Sequence, residues 1–261
     1  MENFFWADYA FFLMIFFFMM YAVLDGFDLG IGTLVLFTKD KQRKDRLIRH
    51  IAPFWDGNEV WLVIAAALLF AAFPTIFGYI LSSFYLPIMI TVFAFIIRAV
   101  TLEFSYHDQK NQTLWLTIFG LASSAIAFLG LLVLGFLIYG LPMTSAGVVS
   151  RNLNDYIVAF PYVFAFIGVL LTTLHGYAYA KHGGIWSMAD GLAEKKSSML
   201  FVITSILICG VWIFAGIDGY PIIIKCSNNP EWGILIHSVS SPVTTLKPLV
   251  IFGSIMTFLI L

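Results

Sequence analysis

Residues 9–37 read YAFFLMIFFFMMYAVLDGFDLGIGTLVLF. The run is apolar on every side. At ~1.5 Å of rise per residue it is long enough to cross the ~30 Å hydrocarbon core of a bilayer as a helix. Backbone groups in lipid have no water to bond, so a spanning segment of this kind is helical. A membrane β-barrel would instead alternate apolar and polar residues along each strand. Within this oil lie two carboxyl groups, Asp25 and Asp28, three residues apart.

The rest of the chain agrees. Of its 261 residues, 61% are hydrophobic and 11% charged, and the mean hydropathy is +0.93. Soluble domains run near ~45–50% apolar and ~25% charged. These proportions exclude a water-soluble enzyme and a disordered chain. A formal net charge of −1, with no long basic patch, argues against a nucleic-acid partner. The two cysteines cannot form a disulfide framework. Cys209 lies in an apolar run and Cys226 in a loop, and both read as free thiols. CxxC, CxxCH and HExxH motifs are absent.

The hydropathy pattern predicts an all-α polytopic membrane protein with spans at 9–37, 55–74, 77–102, 113–139, 156–180 and 198–218. A seventh begins near 248 and is expected to be cut off by the chain end. About seven spans are therefore present. A more polar stretch over 140–155 divides them into two helical bundles of about four spans each, residues 1–139 and 140–261, with the second incomplete. The start, Met1-Glu2-Asn3, lacks the basic region of a cleavable signal peptide and predicts an uncleaved first span. Eleven Lys and Arg fall on the side of the loop after the first span, including Lys39, Lys41, Arg43, Lys44, Arg46 and Arg49. Three fall opposite, namely Arg151, Lys225 and Lys247. The positive-inside rule then places the N-terminus outside and the first loop in the cytoplasm.

Charges in lipid mark function by default, because each costs at least ~2.5–3.5 kcal/mol even on the mildest insertion scale. Asp25 sits ~21 Å from Lys39 and ~25 Å from Asp8 along the helix, near the bilayer midplane. Asp28 is one turn nearer the cytoplasm. Gly26 and Gly30 form a small-xxx-small face that lets a second helix approach. The next span opens Pro53-Phe54-Trp55-Asp56-Gly57-Asn58-Glu59-Val60-Trp61. Asp56 is expected to cap this helix, with Glu59 completing a capping-box pair, and Trp55 and Trp61 suit the membrane interface. Arg98 either snorkels to the inner boundary or is counter-ion to Asp28 or Asp56. Glu103 follows it on the same end. Glu103, Asp56, Glu59, Asp28 and Asp25 together make a ladder of carboxyl groups, an arrangement that carries protons through low dielectric. His175, inside the fifth span, reads as a hydrogen-bonded packing residue, with haem or metal ligation as the other reading. His50, His107, His182 and His237 fall in loops without ligand spacing. A faint echo between Asp25-Gly26-Phe27 and His175-Gly176-Tyr177 hints at an internal repeat.

Two long motifs make the chain resemble subunit II of cytochrome bd-type quinol oxidases, including the cyanide-insensitive branch. They are Leu24-Asp25-Gly26-Phe27-Asp28-Leu29-Gly30-Ile31-Gly32 and Ile51-Ala52-Pro53-Phe54-Trp55-Asp56-Gly57-Asn58-Glu59-Val60-Trp61-Leu62. Phe70-Ala71-Ala72-Phe73-Pro74, and Arg98-Ala99-Val100 with Glu103, also fit. The resemblance implies a multi-pass subunit of a respiratory enzyme in the bacterial inner (cytoplasmic) membrane, with two four-helix bundles. That enzyme oxidises quinol and reduces dioxygen to water with protons from the cytoplasm. It implies a heterodimer with subunit I, which ligates heme b and heme d, and in some members small accessory subunits and a structural quinone. By resemblance Asp25, Asp56 and Glu103 match a proton route, and no metal or haem ligand falls on this chain. Relatives are roughly a hundred residues longer. From the residues alone, a proton-coupled secondary transporter and a purely structural scaffold stand as alternatives.

Overall fold

A computed structural model describes residues 2–139, 149 and 152–185. The predicted spans 198–218 and from 248, the loop between them, and Cys209 and Cys226 lie outside the described residues. Every element among the described residues is helical: α1 (Glu2–Phe37), α2 (Lys41–Ile51), α3 (Trp55–Ala72), α4 (Pro74–Ser83), α5 (Tyr85–His107), α6 (Gln112–Tyr139), a 3-10 turn (Leu153–Tyr156) and α7 (Ala159–His182). Five of them, α1, α3, α5, α6 and α7, are long and apolar enough to cross a membrane. The chain is an all-α, multi-pass membrane protein.

Two predicted features are corrected. The third span was expected at 77–102, but the chain forms α4 and then α5, whose span starts at Tyr85. Pro87 explains the shift. It cannot donate to the Ser83 carbonyl and its ring crowds that group, so the helix breaks at Phe84. Pro74 likewise opens α4 and drives Phe73 out of helical geometry, to φ −132° and ψ 56°. The second correction is the first loop, which contains helix α2. Asp40 caps it, accepting from the Gln42 amide at 3.0 Å, and Lys44, Leu47, Ile48 and Ile51 form its buried stripe. That i, i+3, i+4, i+7 spacing is an amphipathic signal. The apolar members pack with Ile31 and Val35 of α1, Leu102 of α5 and Phe119 of α6.

α1 is the hub, packing on α2, α3, α6 and α7. Glycines set how close it comes. A Cβ on Gly30 would overlap the Thr172 carbonyl of α7, and one on Gly176 would strike the Gly30–Ile31 peptide. The two backbones therefore touch at one crossing. On the other side a Cβ on Gly32 would overlap Ser123 of α6, and one on Gly120 would lie 2.7 Å from the Gly32 carbonyl oxygen. Thr33 and Ser124 close that seam with a 3.1 Å hydrogen bond. Gly26, expected to share the packing face with Gly30, has only an ordinary 3.9 Å neighbour, His175. The tight partner of Gly30 is Gly176, so the two echoing segments, 25–27 and 175–177, meet at the same crossing.

Between α5 and α6 the chain turns on Asp108. Its carboxylate accepts from the Asn111 amide, from Asn111 Nδ2 at 2.8 Å and from Trp115 Nε1 at 3.1 Å. These donors hold its pKa below the usual carboxylate range.

Two predictions follow from this packing. Gly30→Ala forces two backbones apart and should lower stability by about 1–3 kcal/mol or more, read as the unfolding temperature in detergent, whereas Gly26→Ala should leave it unchanged. The Asp108 anchor is fully present above the ordinary Asp pKa of about 3.9 and is lost as pH falls through the lower folded-state value. Acid titration should therefore shift Trp115 emission, taken as the difference from Trp115→Phe, and Asp108→Asn should abolish the shift.

Candidate functional site: a buried acid–arginine cluster

Arg98 of α5 is fully buried, as are Asp25 and Asp28 of α1. Arg98 Nη1 donates to Asp25 Oδ1 at 3.0 Å and to Glu59 Oε1 of α3, also at 3.0 Å. One nitrogen thus joins three helices. The guanidinium is lidded by rings, with its Cζ 6.0 Å from the Trp55 centroid and 5.7 Å from that of Phe119. Asp28 is served separately. Asn58 Nδ2 donates to Asp28 Oδ2 at 2.8 Å and also reaches the Leu24 carbonyl at 3.3 Å. Taking such ions out of water costs several kcal/mol each, which only pairing and hydrogen bonds offset. The offset here is incomplete: Asp25 Oδ2, Asp28 Oδ1, Arg98 Nε and Arg98 Nη2 are buried without a hydrogen-bond partner among the described residues.

The geometry sorts the residues singled out from sequence. Asp25, Glu59 and Arg98 come together in direct contact, and Asp28 joins them through its place one turn along α1. Arg98 does not snorkel, and its ion-pair partners are Asp25 and Glu59 rather than Asp28 or Asp56. Asp56 is exposed and caps nothing. The N-cap of α3 is Phe54, with no side-chain cap bond, because Asp56 already lies inside the first turn. Glu59 therefore closes no capping box and is drawn to Arg98. Trp55 covers that cation, and Trp61 stacks on Phe17 of α1 at 5.8 Å, so neither stands alone as an interface anchor. Glu103 is not part of the cluster: it is 74% exposed and lies 3.6 Å from His107. Sequence reasoning missed Asn58, whose signal was a polar residue one helical step from Glu59, and the lid ring Phe119, which nothing in a Phe-rich sequence distinguishes.

His175 Nε2 lies 3.1 Å from the Val23 carbonyl. A carbonyl only accepts, so Nε2 carries the proton and is occupied in tying α7 to α1. Among the described residues no group of three or more His, Cys, Asp or Glu side chains is poised to hold a metal ion.

The arrangement defines a class: a helical membrane subunit built around one buried arginine and the carboxyl groups that neutralise it. Residues 6–183 match the family described as cytochrome bd terminal oxidase subunit II, and the chain belongs to that family. It is 28% identical over 210 residues to cytochrome bd-I ubiquinol oxidase subunit 2 of Escherichia coli K12, covering 77% of this chain and 55% of that protein. It is 29% identical over 225 residues to cytochrome bd ubiquinol oxidase subunit 2 of Bacillus subtilis, covering 82% of this chain and 63% of the relative. The chain thus spans between half and two thirds of the length of these relatives. Its fold is shared with the bd oxidase structure from Geobacillus thermodenitrificans, with a TM-score of 0.64 and 17% identity over 81% of this chain and 64% of the other.

Arg98→Ala should leave Asp25 as an uncompensated buried charge and cost about 3–5 kcal/mol. Asn58→Ala should cost about 1–3 kcal/mol by orphaning Asp28. Asp56→Asn should leave the unfolding temperature in detergent unchanged.

Proposed function

We propose that this chain is the haem-free partner in a quinol:dioxygen oxidoreductase of the bacterial cytoplasmic membrane, and that its first bundle carries protons. The enzyme's redox work, oxidising quinol and reducing dioxygen at heme b and heme d, belongs in this reading to a subunit I that pairs with this chain. Haem supplies electron transfer and oxygen chemistry there. His175 is engaged with α1, and no residue of this chain is assigned to a haem, a quinone or an accessory subunit.

One observation carries the proposal: a single guanidinium nitrogen touches both a fully buried carboxylate, Asp25, and a carboxylate that is 21% exposed, Glu59. Asp56 and Glu103 lie exposed near the end of the bundle where α2 sits, and would collect protons from the cytoplasm. Glu59 passes them inward. Two carboxyl groups, Asp25 and Glu59, share one arginine, with Asp28 held beside them by Asn58, so the cluster can accept a proton and give it up without leaving a bare ion in lipid. The unpartnered oxygens of Asp25 and Asp28 are acceptors for a proton on its way. Arg98 and Asn58 hold these acids in position and do not themselves titrate. The basic rim around α2 favours the cytoplasmic side for that end.

The test is quinol-driven oxygen uptake by the purified assembly. Asp25→Asn and Glu59→Gln should each lower turnover by about 10-fold or more, the scale of a lost proton-transfer group, with haem absorbance retained. Glu103→Gln, outside the cluster, should have the smaller effect. Full turnover in an assembled Asp25→Asn protein would leave the acids a structural role alone. Haem-free protein that takes up a substrate with protons would support a transporter.

A further inference from the structure

Helix α2 turns a polar face outward. Leu47, Ile48 and Ile51 are buried against the spans, which turns Gln42, Arg46 and Arg49 outward. The helix is pinned to the α5–α6 turn by Gln112 Nε2 to Asp45 Oδ1 at 3.0 Å and by Lys41 Nζ to the Gln109 carbonyl at 3.5 Å. That contact brings Lys110 beside the start of α2. Lys39, Lys41, Arg46 and Lys110 are all exposed, and none is in an ion pair among the described residues. The acids nearest in the chain make other contacts, and none is ion-paired to these four cations. Asp40 accepts the Gln42 amide, Asp45 takes Arg49 at 2.7 Å and Gln112, and Asp108 holds Asn111 and Trp115.

We infer that this basic rim binds the phosphate head groups of anionic phospholipid. Its position favours lipid over a soluble anion or a protein. α2 joins two spans, α1 and α3, and is bracketed by exposed aromatic residues at its entry and exit: Phe37 at 76% and Phe54 at 54%. Tyr106 and Trp115 flank the α5–α6 turn to which α2 is pinned, and Tyr and Trp at span ends mark the membrane–water boundary. The cations therefore stand at head-group level on the rim of the lipid-facing surface. Attraction between basic residues and an anionic leaflet acts over a Debye length, ~8 Å at physiological salt. The inference is independent of proton transfer, since none of these residues belongs to the acid–arginine cluster.

The experiment counts lipid adducts by native mass spectrometry on the full chain, purified in detergent with the subunits that accompany it. Phosphatidylglycerol, phosphatidylcholine and inorganic phosphate are titrated in separate arms. Retention of phosphatidylglycerol but not phosphatidylcholine is expected, and each of Lys39→Gln, Arg46→Gln and Lys110→Gln should weaken it by about fivefold. The charge-preserving set Lys39→Arg, Arg46→Lys and Lys110→Arg should retain it. Rising ionic strength on the unmodified protein should release it, a readout that needs no variant to fold. Equal binding of both lipids, salt-insensitive binding, or full phosphatidylglycerol retention by the neutralised variants would overturn the inference. So would saturation by inorganic phosphate alone, or loss of an accompanying subunit in those variants with lipid content unchanged.

Discussion

The fold depends on one cation. Arg98 is held in a fully buried position by carboxylates from two other helices. An arginine cannot be neutralised by losing its proton at any relevant pH, so its charge must be met by acids. Those acids sit on α1 and α3, which fixes the mutual depth of three spans. The same contact makes Asp25 tolerable. In lipid the attraction between apolar side chains does not draw helices together, so a buried ion pair is a strong source of register.

Close backbone contact supplies the rest of the rigidity. α1 meets α7 at Gly30 and Gly176, and meets α6 at Gly32 and Gly120. These crossings lie within about two turns of Asp25 and Asp28 along α1. The carboxylates are thus carried on a helix clamped from two sides, while the third side faces Glu59 and Asn58 of α3. The clamp fixes the spacing of these acids relative to Arg98 and Glu59.

Much of the site was legible before any coordinates. Asp25, Asp28 and Arg98 stood out because ionisable groups are rare in apolar runs and each must be accounted for. Glu59 was visible both as a rung of the acid ladder and as part of a local capping box, since a pattern of Asp then Glu three residues on reads locally. The actual partner of Glu59 is 39 residues away in sequence, and no local rule reaches that far. Glu103 was read as a rung because it lies at the same end as Asp56 and Glu59, but five residues from Arg98 along a helix turns it to another face of α5, and it stands exposed beside His107 outside the buried cluster.

Composition alone determined that the chain lies in a membrane, that its spans are helices and which side chains are costly there, because lipid removes the hydrogen-bonding alternatives that water offers. The hydropathy pattern placed α3, α6 and α7 to within a few residues and the C-terminal end of α1 at Phe37, although α1 begins at Glu2, before its predicted span. Tertiary structure decided which acids share the arginine, which glycines touch, and that the basic loop contains an amphipathic helix. Pairing in lipid is a matter of which faces meet, and faces meet through crossings of helices distant in sequence. Periodicity within a single helix carries no information about that choice.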